Sequence, residues 1–514
     1  MPSTDSGSDQ TVDTDGYSRR GFMSTAAAVG ATAATAGCIG DGLGDTLDTG
    51  EEEFLWWTMR GYIPEETAAI QEAAEDFEDW HDDEITVSTE INTWDVVFTE
   101  WAAGIEGREM PNVSEMANEH AVDFGDQGAA IPNTDLYEEY DDWYDATGVW
   151  GLWEDEKWGF PWFIEVRNLH VNMDLLDEAG HSDIPETWED LIEVCQDIEA
   201  ETDATGFGTP GALDFVCGQN LYSIAQQAGA DYYDYDEDAE EWRVEFDSAG
   251  SLFAHLWYAS LREAWDIAPG GWGGVDGDDL EALYQDNRLG ISFQPSDLAR
   301  SLIDPFDGID EDHEEVAEAT ELATMAGGPV GDDGLAFMGG SCLTAFDDQV
   351  TRHDTGDQLK MDFIEYMTLP DTLDMYFPAA APTFLPVRTG QEEMDLYVDN
   401  PTEIPDSWLE ARLQQGRQSV RYGVTDTGRS APVLGALEGE TTAYSAAMSS
   451  IIGEDADPKE AVTSLANTMR EEVEAAEGYS LEEGDPDNID LDDAPDEVQA
   501  WIDGDDVPQI WNPY

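Results

Sequence analysis

The chain has 514 residues, 19 of them Lys or Arg and 118 Asp or Glu, for a formal net charge of -99. With 41% hydrophobic residues it has the material for real cores, so it is not an acidic disordered chain, and its length suits two lobes. No basic stripe is present to neutralise phosphates, which argues against nucleic acid as a partner. The carboxylates are spread over every segment, a pattern that suits concentrated salt, where screening shrinks to about 3 Å at 1 M. At low salt the same coat repels itself.

Residues 1–17 are polar and acidic and hold nothing that packs. Ser18-Arg19-Arg20-Gly21-Phe22-Met23 follows, then a small, weakly apolar run to Gly37 and a cysteine, Cys38. This resembles a twin-arginine export signal over residues 1–37, and Thr35-Ala36-Gly37-Cys38 resembles a lipobox with Thr35 in the usual Leu position. The run is too short and too rich in Ala and Thr to span a membrane, and no later stretch reaches the roughly 18 apolar residues that spanning needs. The mature chain is expected to start at Cys38, tethered by lipid through a Gly- and Asp-rich segment, 38–53. Structure begins at Phe54. A strand over 54–58 precedes a helix over 64–80, with Ala69, Ala73, Phe77 and Trp80 on one side. An alternating strand (85–91), a helix (94–105), a strand (112–118) and a helix (121–127) come next. Strand and helix in alternation describe an α/β lobe with a largely parallel sheet.

The most informative stretch is 157–198. Phe160 to Val166 is apolar and aromatic but for Glu165, and Leu169, His170 and Val171 continue extended. Asp174 to Ala179 makes one or two helical turns, with Gly180 at a C-cap position. Pro185, Glu186 and Thr187 open a longer helix, in which Trp188, Leu191, Ile192, Cys195 and Ile198 form one apolar face. The order G-F-P, then N-M-D-L-L-D-E-A-G, then P-E-T-W-E-D-L resembles the signature block of family 1 extracellular solute-binding proteins, the sugar receptors of ABC importers. The resemblance covers most of residues 54–477 and implies a periplasmic-binding-protein-like α/β fold of two lobes joined by crossing hinge strands. Lobe 1 is expected over 54–165 with about 340–385 returning to it, and lobe 2 over 166–339 with about 386–477 as a helical return. Within that pattern, 280–294 resembles a helix, glycine turn and buried strand that ends in the cleft. Residues 325–346 and 382–388 resemble the second and third crossovers. An acidic insert at 230–245 carries Tyr232, Tyr233 and Tyr235, and the acidic tail 478–514 lies beyond the family pattern.

In open α/β sheets, ligands sit outside the carboxyl ends of the strands. Candidate ligand-binding residues therefore follow strands or lie at crossovers: Trp57, Met59, Arg60, Trp94, Asn118, Glu119, His120, Trp162 and Glu165. Trp272 joins them from the loop Gly270-Gly271-Trp272-Gly273-Gly274, and Phe293, Ser296 and Asp297 from the second-lobe binding loop that the resemblance implies. Aromatic rings with carboxylates or amides at their edges suit sugars, which present flat C–H faces as well as hydroxyls. Trp188 reads as core. Of the four cysteines, Cys195, Cys217 and Cys342 remain once Cys38 carries lipid, so at most one disulfide forms. No zinc spacing exists among seven scattered His, and Asp82-Asp83 or Asp278-Asp279 read as solvated surface without an EF-hand spacing, so neither metal nor cofactor is expected. GxSxG, the P-loop and HExxH are absent. The chain thus reads as a monomeric, lipid-anchored, extracellular sugar receptor of an ABC import permease from a halophilic archaeon, not an enzyme. A secreted glycoside hydrolase and a receptor for a non-sugar such as glycerol phosphate are the alternatives.

Overall fold

A computed structural model describes residues 52–514, apart from residues 60–63, 82–84, 212, 214, 332–333, 426–428, 433, 439–442, 475–478 and 505–506. The export signal with Arg19 and Arg20, the lipid-bearing Cys38, the tether up to residue 51, Arg60 and the Asp82-Asp83 pair lie outside the described residues. Strand and helix alternate from the start: β1 (Glu52–Thr58), α1 (Pro64–Trp80), β2 (Ile85–Ile91), α2 (Trp94–Gly107), β3 (Val113–Met116) and α3 (Asn118–Asp126). Each helix carries the chain back across the sheet, so β1 lies parallel between β2 and β3, with Thr58 opposite Ile91 and Trp57 opposite Ser114.

β4 (Phe160–Val166) ends this first sheet and, after the single residue Arg167, β5 (Asn168–Asn172) begins the second. α4 (Trp188–Glu201), β6 (Thr205–Gly208), α5 (Phe215–Gln227), α6 (Ala249–Glu263), β7 (Leu289–Gln294), α7 (Asp297–Leu302) and β8 (Thr320–Ala323) then build lobe 2, whose sheet runs β8-β5-β7-β6. β9 (Ala336–Ala345) crosses back and pairs antiparallel with both β3 and β4. α8 (Asp357–Met367) and α9 (Pro370–Ala380) pack against α1. α10 (Asp406–Arg417) and β10 (Ser419–Val420) lead away again to α11 (Ala443–Glu454), α12 (Pro458–Val473) and α13 (Asp496–Ile502) of lobe 2.

Register fixes where the strands point. β9 is antiparallel to both β3 and β4, so β3 and β4 run the same way, and β1 and β2 with them. In lobe 2, β7 is parallel to β6 and antiparallel to β5, with Gln294 opposite Asn168. The C-terminal ends of β6 and β7 therefore lie beside the point where the chain leaves β4. Both sheets aim their strand ends at the hinge.

Aromatic packing fills each lobe. Phe54 lies 4.8 Å from Phe363, and Trp56 meets Trp162 edge-on at 5.8 Å. In lobe 2, Trp188 lies 4.5 Å from Trp257, as the apolar face of α4 requires. α4 opens where its sequence says, with the Thr187 hydroxyl accepting from Asp190 N, and Asn172 caps the short helix Met173–Glu178 in the same way. Cys195, Cys217 and Cys342 are all buried free thiols, so no disulfide joins them.

Some stretches differ from the boundaries read off the sequence; the helix after β3, for one, starts at Asn118 and not at Ala121. The return crossing starts at Ala336, four residues before 340. Within 386–405, Met394, Leu396 and Ile404 join a core that Phe363 and Phe377 share with Leu298 and Leu302, so this stretch packs against both lobes. The acidic tail packs on lobe 2. Trp501 meets Trp188 and Phe253 edge-on at 6.3 and 5.7 Å, and the Trp265 indole N–H donates to Gln509 O at 2.9 Å. The acidic insert is a hairpin, Tyr233–Asp236 against Glu241–Val244, with Tyr233 and Trp242 buried.

α10 ties the crossings together. Arg412, fully buried, donates from Nη1 to Val166 O (2.5 Å) and Asn168 Oδ1 (3.0 Å), from Nε to Pro382 O (3.0 Å) and from Nη2 to Thr383 O (3.0 Å). One turn on, Gln415 accepts from Met325 N (2.7 Å) and donates to Gly334 O (2.8 Å). First, second and third crossovers thus meet on one helical face. Arg412→Met removes the donors from four oxygens and is expected to destabilise the chain by about 3 kcal/mol or more. Urea unfolding in molar KCl measures this; Arg412→Lys, with one compact donor head, is expected to recover only part.

Candidate functional site

Two sheets whose strand ends converge on a hinge leave a facing set of loops: 57–59, 92–94 and 117–120 from lobe 1, and 209–211 and 294–297 from lobe 2. The lobe 1 loops are held by a residue the sequence did not single out. Glu115, fully buried in β3, accepts from Thr58 Oγ1 (2.7 Å), Met59 N (2.8 Å) and Ser341 Oγ (2.6 Å), so one carboxylate joins the end of β1 to β9. That is charge-assisted bonding in a dry site, and it fixes the backbone where Trp57 and Met59 stand. Trp57 is 5% exposed and its Nε1 has no hydrogen-bond partner among the described residues. Met59 points into the core beside Trp101 and Met116, so it does not face the site. Trp94 opens α2 half-buried, its ring 6.1 Å from Phe98.

Asn118, Glu119 and His120 form the first turn of α3 and come to one place. Asn118 Oδ1 is buried without a partner among the described residues. Gly151, at φ 71°, faces it: a Cβ there would lie 3.2 Å from Asn118 Oδ1 and only 2.2 Å from Trp158 O, so glycine is required. Glu119 is gripped at both oxygens by Arg421, Nε to Oε1 at 2.5 Å and Nη2 to Oε2 at 2.6 Å. Arg421 also donates to Met338 O (2.7 Å), and its guanidinium lies 5.6 Å from the Trp150 ring centre and 5.2 Å from that of Phe337. The His120 ring packs on Phe98 and Trp101, at 4.9 and 5.1 Å. Asp123 Oδ2 accepts from Gly435 N at 3.1 Å and so ties α3 to the chain beyond β10. Trp150 is fully buried and its Nε1, too, has no partner among the described residues.

At the hinge, Glu165 is engaged on every side. Arg167 Nη1 donates to Oε2 (2.6 Å), Ser296 N to Oε1 (3.2 Å), and Arg412 lies at 3.7 Å. It therefore links the first crossover to the lobe 2 loop and does not offer its carboxylate outward. Ser296 is buried with its hydroxyl unpartnered among the described residues, while Asp297 is exposed in the first turn of α7.

Like Met59, three further sequence candidates are core. Trp162 is fully buried among Trp56, Phe163 and Tyr376, and its indole N–H donates to the Tyr376 hydroxyl. Phe293, 1% exposed, lies inside β7, where its carbonyl accepts from Asn220 Nδ2 at 2.9 Å. Trp272 is 2% exposed, stacks on Tyr258 at 5.3 Å and donates to Thr209 O at 2.7 Å, so it props up the loop after β6 and hides its ring face. Its partners lie far away in sequence, which glycine spacing does not report. Beyond Arg421 lies a tyrosine cluster also missed: Tyr422 is 4.5 Å from Tyr444, and the Tyr233 and Tyr444 hydroxyls are 2.9 Å apart. Burial pushes the Tyr233 hydroxyl well above its ordinary range, so it stays neutral. The Tyr residues of the 230–245 insert were the available signal. No group of three or more His, Cys, Asp or Glu among the described residues is arranged to hold a metal ion.

In chemical terms the site has half-buried and buried indoles, two unpartnered indole N–H donors, one unpartnered amide oxygen, and cations that are already paired with acids. That set suits an uncharged, hydroxyl-rich ligand.

Residues 61–305 match the profile of a family described as bacterial extracellular solute-binding protein. The diacetylchitobiose binding protein DasA of Streptomyces coelicolor is 23% identical over 199 residues, which are 38% of this chain; the match spans about half, 46%, of that curated relative. Among solved structures, the sugar-binding protein MalE of Xanthomonas citri aligns with TM-score 0.64 at 17% identity, over 81% of this chain and 96% of its own. Maltose-bound MalE3 of T. maritima gives 0.63 at 15% identity, over 81% and 99%. The GacH receptor of Streptomyces glaucescens gives 0.62 at 18% identity, over 83% and 99%. The fold is that of the two-lobed periplasmic binding proteins.

Proposed function

We propose that this chain is a receptor that takes up an uncharged sugar between its two lobes and hands it to the permease of an ABC importer. The observation that carries the reading is a set of unpartnered polar atoms in lobe 1: Trp57 Nε1 at the end of β1, Asn118 Oδ1 just after β3, and Trp150 Nε1 in the loop whose Gly151 lies against Asn118 are buried without a partner among the described residues. Such atoms cost stability unless something meets them, and sugar hydroxyls donate and accept. The relatives support the ligand class: DasA is a diacetylchitobiose binding protein, and MalE3 was solved with maltose. Contacts made to both lobes favour the closed form, which is the form a permease reads. In this reading the chain is exported by its twin-arginine signal, held at the outer membrane face by lipid on Cys38, monomeric, salt-adapted, and without catalysis.

The test is a thermal-shift panel on the mature chain in molar KCl, with N,N'-diacetylchitobiose, maltose, maltotriose, laminaribiose, glucose and glycerol-3-phosphate. A sugar at 100 times its Kd should stabilise the chain by about 2.7 kcal/mol, read as a rise of about 3 °C in Tm. Chromatography should recover the sugar intact. Consumption of the sugar would place the chain among hydrolases, and a response to glycerol-3-phosphate alone would remove the sugar claim.

Trp57→Phe and Asn118→Ala separate binding from structure. Each deletes a group that the free chain leaves unpartnered, so ligand-free Tm should hold within about 1 kcal/mol of stability. Each should weaken the responding sugar by about 1–2 kcal/mol, roughly 5- to 30-fold in Kd by calorimetry. A fall in Tm with unchanged Kd would mean that these side chains serve the fold alone.

A further inference from the structure

Among the described residues, six Lys or Arg side chains are 8% exposed or less: Lys157, Arg167, Lys360, Arg388, Arg412 and Arg421. Five of them hold an acid. Arg421 holds Glu119, Arg167 and Arg412 hold Glu165, Lys360 holds Asp348 and Arg388 holds Asp142. Lys157 has no carboxylate partner among the described residues. Its Nζ donates to Gly148 O (3.1 Å) and Trp150 O (2.8 Å) and lies 4.3 Å above the Tyr137 ring. The reason it gets there is local. Glu154 and Asp155, at φ 52° and 66°, make the two-residue turn of a hairpin in which Leu152 lies opposite Lys157. That turn folds Lys157 back under residues 148–150. The Tyr137 hydroxyl donates to the same Gly148 carbonyl.

The loop so pinned is the one that carries Trp150, beneath Arg421, and Gly151, against Asn118 Oδ1. We propose that Lys157 is a positioning residue for the lobe 1 face of the binding site: it holds the 148–151 loop so that Trp150 and Asn118 stand where ligand is taken up. For the ligand, this rests on the sugar-receptor reading; for the loop, it does not.

An ammonium bonded to carbonyls and a ring, in place of a carboxylate, is open to titration. Burial pushes Lys157 down to about 8. Loss of the proton removes the charge assistance and the cation–π contact, so the pin loosens as pH rises through that value and is intact below it. Other ionisable groups surround it. Asp135, Asp145 and Glu156, on the segments that pack around it, are exposed acids, and Glu156 takes the Thr134 hydroxyl. Burial raises the Tyr137 hydroxyl far above its ordinary range. Arg421 and Glu119, across Trp150, are paired with each other.

The experiment uses the mature chain in molar KCl, wild type against Lys157→Arg, Lys157→Met and Trp150→Phe. Calorimetric Kd values for N,N'-diacetylchitobiose and maltotriose are taken from about pH 6.5 to about pH 9.5. Wild-type affinity should fall several-fold with a midpoint near about pH 8, Lys157→Arg should bind with a flat profile because a guanidinium stays charged, and Lys157→Met should be weak throughout. Without sugar, the fluorescence difference between wild type and Trp150→Phe should titrate with the same midpoint and should not do so in the Lys157→Arg background. Binding with a flat wild-type profile overturns the proposal. If neither sugar binds, the receptor reading fails and the sugar-free fluorescence decides: a wild-type signal that does not titrate overturns the assignment of Lys157. Should Lys157→Met not fold, the comparison of wild type with Lys157→Arg still decides.

Discussion

One buried guanidinium organises the junction on which everything else depends. Arg412 reaches oxygens from the first and third crossovers and stands 3.7 Å from Glu165, while its helix neighbour Gln415 takes the second. A chain with 118 acids against 19 bases repels itself wherever water is salt-poor. It buries several of its few cations at points that decide the geometry, deep enough to be little affected by salt. Arg412 and Arg167 hold the hinge, Arg421 binds α3 of lobe 1 to the strand that returns to lobe 2, and Lys360 holds the chain beside Asp348. The acid coat outside and the paired cations inside are two responses to one constraint.

The site follows from that junction by topology. Parallel strands with helical crossovers put β1, β2, β3 and β4 in one direction, and the antiparallel pairing of β5 with β7 turns the lobe 2 strand ends to meet them. Glu115 then closes the lobe 1 end with three hydrogen bonds, and Glu165 joins the hinge to the Ser296 loop. Both acids that a reader would offer to a ligand at the hinge and on α3, Glu165 and Glu119, are taken by arginines. What is left for a ligand is neutral: indole N–H groups, an amide oxygen and ring surface.

Much of the fold was written in local pattern. The caps Asn172 and Thr187, the positive φ of Gly180 and the apolar face through Trp188 all work within a few residues, so the 157–198 block could be read directly. Strand ends, and with them Trp57, Asn118 and Glu119, could be placed because alternation of strand and helix dictates direction. Partners distant in the chain could not. Glu119 and Arg421 are 302 residues apart, Trp162 is claimed by Tyr376 and Trp272 by the Thr209 carbonyl, and nothing near any of them in sequence announces it. The tail could not be placed for a related reason: what anchors it is distant in the chain, Trp501 against Trp188 and Phe253 and Gln509 against Trp265.

The most direct measurement is a crystal structure of the mature chain grown from molar salt with an oligosaccharide that shifts its Tm. The account predicts sugar between the lobes, with hydroxyls within hydrogen-bond distance of Trp57 Nε1 and Asn118 Oδ1 and the Glu119–Arg421 and Glu165–Arg412 pairs unbroken. Sugar bound elsewhere, for example in the concavity beside Trp272 and Gly453, with those two atoms still unpartnered, would contradict it.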